Sequence, residues 1–270
     1  PYTTLFRSIT TRDIDRGDHP HYLIKEIGES PDSVRSTLRG RLQDGVVRLG
    51  SETIGGGVQV DLVAGCITRV VVIGQGTAAI AGQAVAAAVQ AELGTSSVSV
   101  EACLATELSG FGLSPDMSDT LVVAISQSGT TTDTNRTVDL VRARGARVVA
   151  IVNRRNSDLI DRADGVLYTS DGRDLEMSVA STKAFYCQVV AGFLLAAALA
   201  DALGHKNEVN RLLRNLIPSA FSEADLETGI ASWQKNPYQY YRLKQKLISL
   251  IDQYFLQCWH FSPKFLHHLR

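Results

Sequence analysis

A chain of 270 residues, 44% hydrophobic and 20% charged, is long enough for one large domain or two small ones and buries a core without disulfide help. Its 27 basic and 28 acidic side chains leave a net charge of −1, which excludes a general attraction to nucleic acid or to an acidic membrane surface; an anion site must come from a local arrangement. The four cysteines, Cys66, Cys103, Cys187 and Cys258, lack zinc-site spacing, and no histidine–carboxylate cluster resembles a metal site, so neither metal nor other cofactor is expected and a reduced, cytoplasmic setting is the simple reading.

Residues 1–18 are polar and irregular and read as a linker or non-native leader on a chain that begins at Pro1, as a fragment would; "PYTTLFRS" has no apolar core like that of a secretory signal. Residues 19–43 predict two short helices, punctuated at Ser30-Pro31 with Ser as N-cap and Pro at the first helical position. The Gly-rich stretch 50–65 is ambiguous. A rhythm then begins. Strands are expected at 69–74 ("RVVVIG"), 96–102, 119–126, 146–153 and 164–170. An Ala-rich helix is expected at 77–93 and an amphipathic one at 131–145, with Val138 and Val141 inward. Asp133 near the start of the second helix and Arg142 and Arg144 near its end match the helix dipole, and Gly145 is a natural stop. Alternating apolar strands and helices predict an α/β fold with a parallel sheet covered on both faces.

Residues 178–204 predict mostly helix. Their apolar run 189–200 has 12 residues, closed by Gln188 and Asp201, against the ~20 that span a bilayer, and reads as a buried helix. Residues 206–257 look helical but are less well marked. Residues 254–270 are aromatic, basic and histidine-rich, with no clear period.

Three loops carry candidate chemistry. "SQSGTTTDT" (126–134) places six hydroxyls in nine residues between an apolar strand and a helix. Ligands of parallel α/β sheets bind beyond the carboxyl ends of strands, and a helix start presents unpaired N–H groups and partial positive charge. Gly129 permits close backbone approach or φ > 0. With no Lys or Arg the loop is not a P-loop, and a neutral hydroxyl cradle suits a phosphomonoester. Helix capping alone would explain one Ser or Thr, not six. The second loop, "GQGTAAIAG" (74–82), starts like a dinucleotide fingerprint but has Ala79 at the third glycine position, with Glu92 or Glu101 as the following acid. It reads as a ligand-facing loop converging on the same pocket, with Thr77 as donor; a dinucleotide site or plain turn glycines are the alternatives. In the third, "EMSVASTKAF" (176–185), Ser178, Ser181 and Thr182 gather at an expected helix start. Ser181 is read as a ligand contact, whereas Thr182 and Lys183 divide evenly between ligand contact and a capped helix start with an exposed lysine.

"SQSGTTTDT", the pattern Asn153, Ser157, Leu159, Ala163-Asp164, and "VASTKAF" (179–185) together resemble the sugar isomerase (SIS) domain family. With "HPHYLIKEIGESPDSVRSTLRGRL" (19–42), the likeness narrows to the first of two SIS domains in the glutamine–fructose-6-phosphate aminotransferase, or glucosamine-6-phosphate synthase, family. The resemblance runs from about 19 to 205. It implies a three-layer α-β-α sandwich around a five-stranded parallel sheet, with helical N- and C-terminal extensions. It implies that Ser126, Gln127, Ser128 and Thr131 hold a sugar phosphate and that Thr77, Val179 and Ser181 contact the sugar. The implied ligands are fructose 6-phosphate or glucosamine 6-phosphate, and the implied assembly is a homodimer, without nucleic acid or membrane. Ala78 and Thr130 depart from the family pattern, which often has Ser and Glu there.

No segment resembles the family's cysteine-nucleophile glutaminase domain, and residues 206–270 read as the helical start of an incomplete second domain. The family's ring-opening and enolisation residues come from that second domain and the C-terminal tail. No catalytic residue is therefore assigned; Glu176 and Lys183 are the only ionisable groups expected near the pocket. A non-enzymatic sugar-phosphate sensor is the alternative, and an NAD-dependent oxidoreductase or a structural dimerisation module stand further off.

Overall fold

The computed structural model describes residues 15–43, 46–93, 97–172, 174–177 and 181–204, so the expected extension over 206–270 lies outside the described residues. Helix α1 (Tyr22–Leu38) leads to two short paired strands, β1 (Leu42–Gln43) and β2 (Val46–Val47), and two short helices, α2 (Ser51–Ile54) and α3 (Gly56–Val63). The sheet then forms from β3 (Arg69–Gly74), β4 (Ser99–Leu104), β5 (Thr120–Ser126), β6 (Arg147–Val152) and β7 (Gly165–Tyr168). Between strands run α4 (Thr77–Leu93), α5 (Ala105–Glu107) with a π turn at Leu108–Gly112, α6 (Thr132–Arg142) and α7 (Asp158–Asp161). A 3₁₀ turn (Ser170–Gly172) and the long α8 (Lys183–Ala202) complete the described chain.

The five strands are all parallel, in the order β4-β3-β5-β6-β7. Their β-branched runs are continuous because both faces are covered: every residue of β5 is buried. Alternation assigns each residue to a face. Val70, Val72, Leu121, Val123, Ile125 and Ile151 meet Val85 and Val89 of α4 and Leu195 and Leu199 of α8. Val71, Ile73, Val122, Ala124 and Val148 meet Val138 and Val141 of α6 and Leu159 of α7. The α/β sandwich expected from the strand–helix rhythm is therefore the observed fold. The strand ends move by one to three residues; β4 runs later than 96–102 and is a partly exposed edge.

Residues 19–43 depart from expectation. They form one long helix that passes straight through Pro31. Proline removes one backbone donor and normally breaks a helix interior. Here tertiary bonds hold both halves. Glu26 accepts the Met177 amide, while Thr37 Oγ1 accepts Ser170 N at 2.9 Å and Ser170 Oγ donates to the Ser33 carbonyl at 3.1 Å. Ser30 is no cap; its hydroxyl donates back to the Glu26 carbonyl at 3.1 Å. The ambiguous stretch 50–65 becomes α2 and α3, separated at Gly55 with φ +87°.

Helix α8 extends the predicted apolar run N-terminally to Lys183 and is the one described helix long and apolar enough to cross a membrane. Most of it is buried inside this protein, against α4, α1 and the sheet, which is the setting of a core helix. Small residues set the α4–α8 approach. A Cβ at Gly192 would lie 2.1 Å from Val85 Cγ2 and 2.9 Å from Val85 Cβ. Gly192→Ala is therefore expected to destabilise the domain by about 1–2 kcal/mol, the overpacking strain exceeding the ~1 kcal/mol of helix propensity gained. A thermal melt at or above that of the parent chain would show instead that α4 moves aside freely.

Candidate functional site

The strand order places a crevice. From β3 the chain goes outward to β4, then returns past β3 to β5 and continues the other way. The connections that leave β3 and β5 thus cover opposite faces, α4 on one and α6 on the other. Loops at the carboxyl ends of these neighbouring strands diverge, which is where open α/β sheets hold ligands. A cleft of about 280 Å³ lies there, lined by Gln75, Thr77 and Ala78 after β3, Ile125 to Ser128 and Thr131 after β5, and Glu176, Ser181 and Gln188 near α8. Five of the expected site residues, Thr77, Ser126, Gln127, Ser128 and Thr131, share this cleft with a sixth, Ser181. Val179 and Ser178 lie outside the described residues.

The loop after β5 is held by its own backbone. Gly129 takes φ +65°, and a Cβ there would lie 2.1 Å from Ser157 Oγ and 2.9 Å from Val152 Cγ2. The Gly129 carbonyl accepts Leu159 N at 3.1 Å and Asn135 Nδ2 at 3.2 Å; the Gln127 carbonyl accepts Asn153 N and Arg154 N, both at 3.2 Å. The loop's acceptors are thus tied back into the protein, leaving the cleft side to donors. Ser126 Oγ accepts Gly129 N at 3.0 Å and lies 3.2 Å from Thr131 Oγ1.

Not all six hydroxyls serve the cleft. Ser126, Ser128 and Thr131 line it. Thr130 Oγ1 donates to Ser128 Oγ at 3.0 Å, Thr132 is exposed, and Thr134 is buried under α6. Thr131 stands at the N-cap of α6 but makes no side-chain capping bond, whereas Ser126 Oγ and Ser128 Oγ also hold the turn, accepting Gly129 N at 3.0 Å and Thr130 N at 3.2 Å. The helix start keeps its unsatisfied amides and dipole, with no lysine or arginine in the cleft lining.

The glycine turn has a packing reason. A Cβ on Gly74 would meet the Ala78 carbonyl carbon at 2.7 Å, and Gly76 takes φ +58°. These glycines let α4 start directly against β3 and bring Thr77 into the cleft. Ala78 lines the wall where the family often has a hydroxyl. Glu101 pairs with Arg69 in mid-strand, so it does not stand at the strand end where a dinucleotide-binding acid would.

At α8, Glu176 acts as a cap. Its carboxylate accepts Thr182 N at 2.7 Å, Ala184 N at 3.1 Å, and the hydroxyls of Ser181 and Thr182, both at 3.1 Å. Ser181 is thereby held at the cleft rim. Lys183, expected as an exposed residue if not a ligand contact, is buried. Its Nζ lies 2.6 Å from Glu29 of α1 and 3.8 Å from Asp174, and it does not line the cleft. The α1–α8 contact draws the lysine inward, a tertiary effect with no local signature. Burial pushes the Cys187 thiol up, and its Sγ sits 3.5 Å from Ser170 Oγ, so this cysteine is kept as the thiol.

Sequence reasoning missed Gln75 and Gln188. Gln188 was legible only as the polar residue that closes an apolar run. The Lys183 pair is asymmetric, since the lysine side chain is 5% exposed and Glu29 is 38% exposed. Glu29→Ala is expected to cost about 2–3 kcal/mol in chemical denaturation, because it leaves the buried ammonium only the more distant Asp174, 3.8 Å away. Lys183→Met should cost less than half of that, since Glu29 keeps water and Lys25, 3.6 Å away. Equal losses would mean that packing, not charge, holds α1 to α8.

A family profile described as the SIS domain matches residues 66–198. Glutamine–fructose-6-phosphate aminotransferase (isomerizing) of Corynebacterium glutamicum is 38% identical over 206 residues, covering 75% of this chain and 31% of the relative. The enzyme of the same description from Mycobacterium leprae is 38% identical over 204 residues, with coverage of 75% and 31%. The chain thus spans about a third of the length of these curated relatives. Among solved structures, the C-terminal domain of glucosamine-fructose-6-phosphate aminotransferase from Francisella tularensis superposes with a TM-score of 0.62 at 26% identity, covering 74% of this chain and 55% of that one. Through residues 66–198, built on this five-stranded sheet, the chain belongs to the SIS-domain family.

Proposed function

We propose that the cleft binds a phosphorylated hexose, fructose 6-phosphate or glucosamine 6-phosphate, as the first SIS domain in the isomerase half of a glucosamine-6-phosphate synthase-like protein. The observation that carries this reading is the convergence at one switch point of the hydroxyls of Ser126, Ser128 and Thr131, a glycine-dependent loop and the uncapped start of α6, with no cationic side chain among the described lining residues. A phosphomonoester dianion is met by many neutral donors in such a setting, and its charge strengthens each of them.

Ser128, Thr131, Gln127 and the amides of the first turn of α6 take the phosphate. Ser126 organises them: its oxygen accepts the Gly129 amide, and its contact with Thr131 orders the second hydroxyl. Thr77 and Ser181, both in the cleft lining, contact the sugar, with Val179 as a third contact. Ala78 leaves one wall without a hydroxyl donor, which shifts sugar discrimination onto the remaining groups.

In the reaction of the whole enzyme, fructose 6-phosphate and glutamine-derived ammonia would give glucosamine 6-phosphate, an amino-sugar biosynthetic step. The proton beside the carbonyl needs a base. Glu176 already accepts four hydrogen bonds that cap α8, so the described cleft serves binding, and we assign the base to groups outside it. A homodimer is part of the same proposal, on the family resemblance alone. Cys66, Cys103 and Cys187 are free thiols, which supports a cytoplasmic setting.

The test is a thermal-shift titration of the 270-residue chain with glucosamine 6-phosphate, fructose 6-phosphate, inorganic phosphate and NADH. A ligand at ~100 times its dissociation constant adds about 2.7 kcal/mol of stability. A hexose phosphate should shift the melt well beyond inorganic phosphate, and a shift with NADH alone would sink the reading. A charge-assisted hydrogen bond to phosphate is worth about 1.5–3 kcal/mol, so Thr131→Ala should weaken hexose-phosphate binding roughly tenfold or more. An unchanged dissociation constant would remove that residue from the site.

A further inference from the structure

Two residues that line the cleft carry a buried amide oxygen without a partner. Gln188 is 2% exposed, lies one and a half turns into α8, and its Oε1 has no hydrogen-bond partner. Gln75 directly follows β3, and its buried Oε1 is likewise unpartnered. Both residues line the same cleft. An amide oxygen offers two acceptor positions, and leaving a buried one unmade is costly. Most such groups in folded proteins are paired, so an unmade bond calls for a reason.

The distribution of polar groups supplies one. The β5–α6 end of the cleft is built from donors, since the Gln127 and Gly129 carbonyls are turned into the protein body. The two amide oxygens belong to Gln75, after β3, and Gln188, in α8; the Glu176 carboxylate, also in the lining, is already occupied by its capping bonds. An inorganic phosphate would satisfy the donor end and leave these acceptors unpaired. A ligand with a phosphate at one end and hydroxyl or amine hydrogens at the other satisfies both.

We propose that Gln188 and Gln75 are specificity-determining residues whose amide oxygens accept hydrogens from the hydroxyl or amino groups of the sugar. This rests on the sugar-phosphate reading of the cleft and extends it to the end away from the phosphate. A site built to accept a hydroxyl discriminates strongly against ligands that lack one, because its buried acceptor is then left unmade. The two glutamines thereby separate hexose phosphates from inorganic phosphate and from simple phosphomonoesters.

The test uses the full chain and the variants Gln188→Leu and Gln75→Leu, titrated with glucosamine 6-phosphate, fructose 6-phosphate and inorganic phosphate. Leucine fills similar space and removes an unpaired polar atom, so the unliganded melting temperature should hold or rise. Affinity for a hexose phosphate should fall tenfold or more in Gln188→Leu, with a smaller fall in Gln75→Leu, while inorganic phosphate binding stays within twofold. If the parent chain binds a hexose phosphate and both variants bind it equally well, the glutamine assignment is overturned and the cleft reading stands. A parallel loss of hexose phosphate and inorganic phosphate binding would also overturn it, as a general disturbance of the cleft. If the parent chain binds no hexose phosphate, the cleft reading itself fails and the glutamine assignment falls with it.

Discussion

Gly129 is the constraint on which the site depends. The last residue of β5 is buried in the sheet centre, and the chain must turn there into α6 without crossing the cleft. It does so through one positive φ, at a position where a side chain would run into Ser157 and Val152. Because that residue has no Cβ, its carbonyl can reach Leu159 N and Asn135 Nδ2 while its amide reaches Ser126 Oγ. One residue thus ties the loop to α6, α7 and β5 together. The donors that face the cleft are held in place before any ligand arrives, so little ordering entropy remains to be lost on binding.

The neutrality of the cleft follows from the same arrangement. Charge for an anion is supplied by a helix start and by polarised hydrogen bonds rather than by a lysine or arginine. The one lysine near the α8 loop is drawn into the α1–α8 contact, where Glu29 and Asp174 neutralise it. The one carboxylate in the lining is engaged by two amides and two hydroxyls at the head of α8. Both ionisable groups close to the cleft therefore build its frame. Helix α1 belongs to that frame as well, since Glu26 reaches Met177 and Thr37 reaches Ser170, bracketing the segment that delivers Glu176 and Ser181.

Much of this was legible in the sequence, for identifiable reasons. Runs such as Val70–Ile73 and Leu121–Ile125 are short, β-branched and unbroken, a pattern that only a doubly covered strand explains. Gly145 and the Asp133/Arg142 charge order mark the ends of α6 through backbone sterics and the helix dipole, both local effects. The hydroxyl loop announced itself by composition. What stayed illegible was non-local. Pro31 carries a strong local signal to stop a helix, and it is overruled by bonds to residues more than a hundred positions away.

The amino-acid order alone determined the strands and helices from 69 onward, the parallel sheet and the hydroxyl-rich loop at the carboxyl end of β5, because each leaves a pattern within a few residues. Only the tertiary structure decided which hydroxyls share the cleft, since Thr130, Thr132 and Thr134 differ from Ser128 and Thr131 in direction and not in chemistry. It alone decided that Lys183, open between ligand contact and an exposed lysine, is a buried ion-pair partner and that Glu176 is a cap. Gln75 and Gln188 lie 113 positions apart and line one cleft only because the fold brings the end of β3 near the first turns of α8, a proximity that no local pattern encodes.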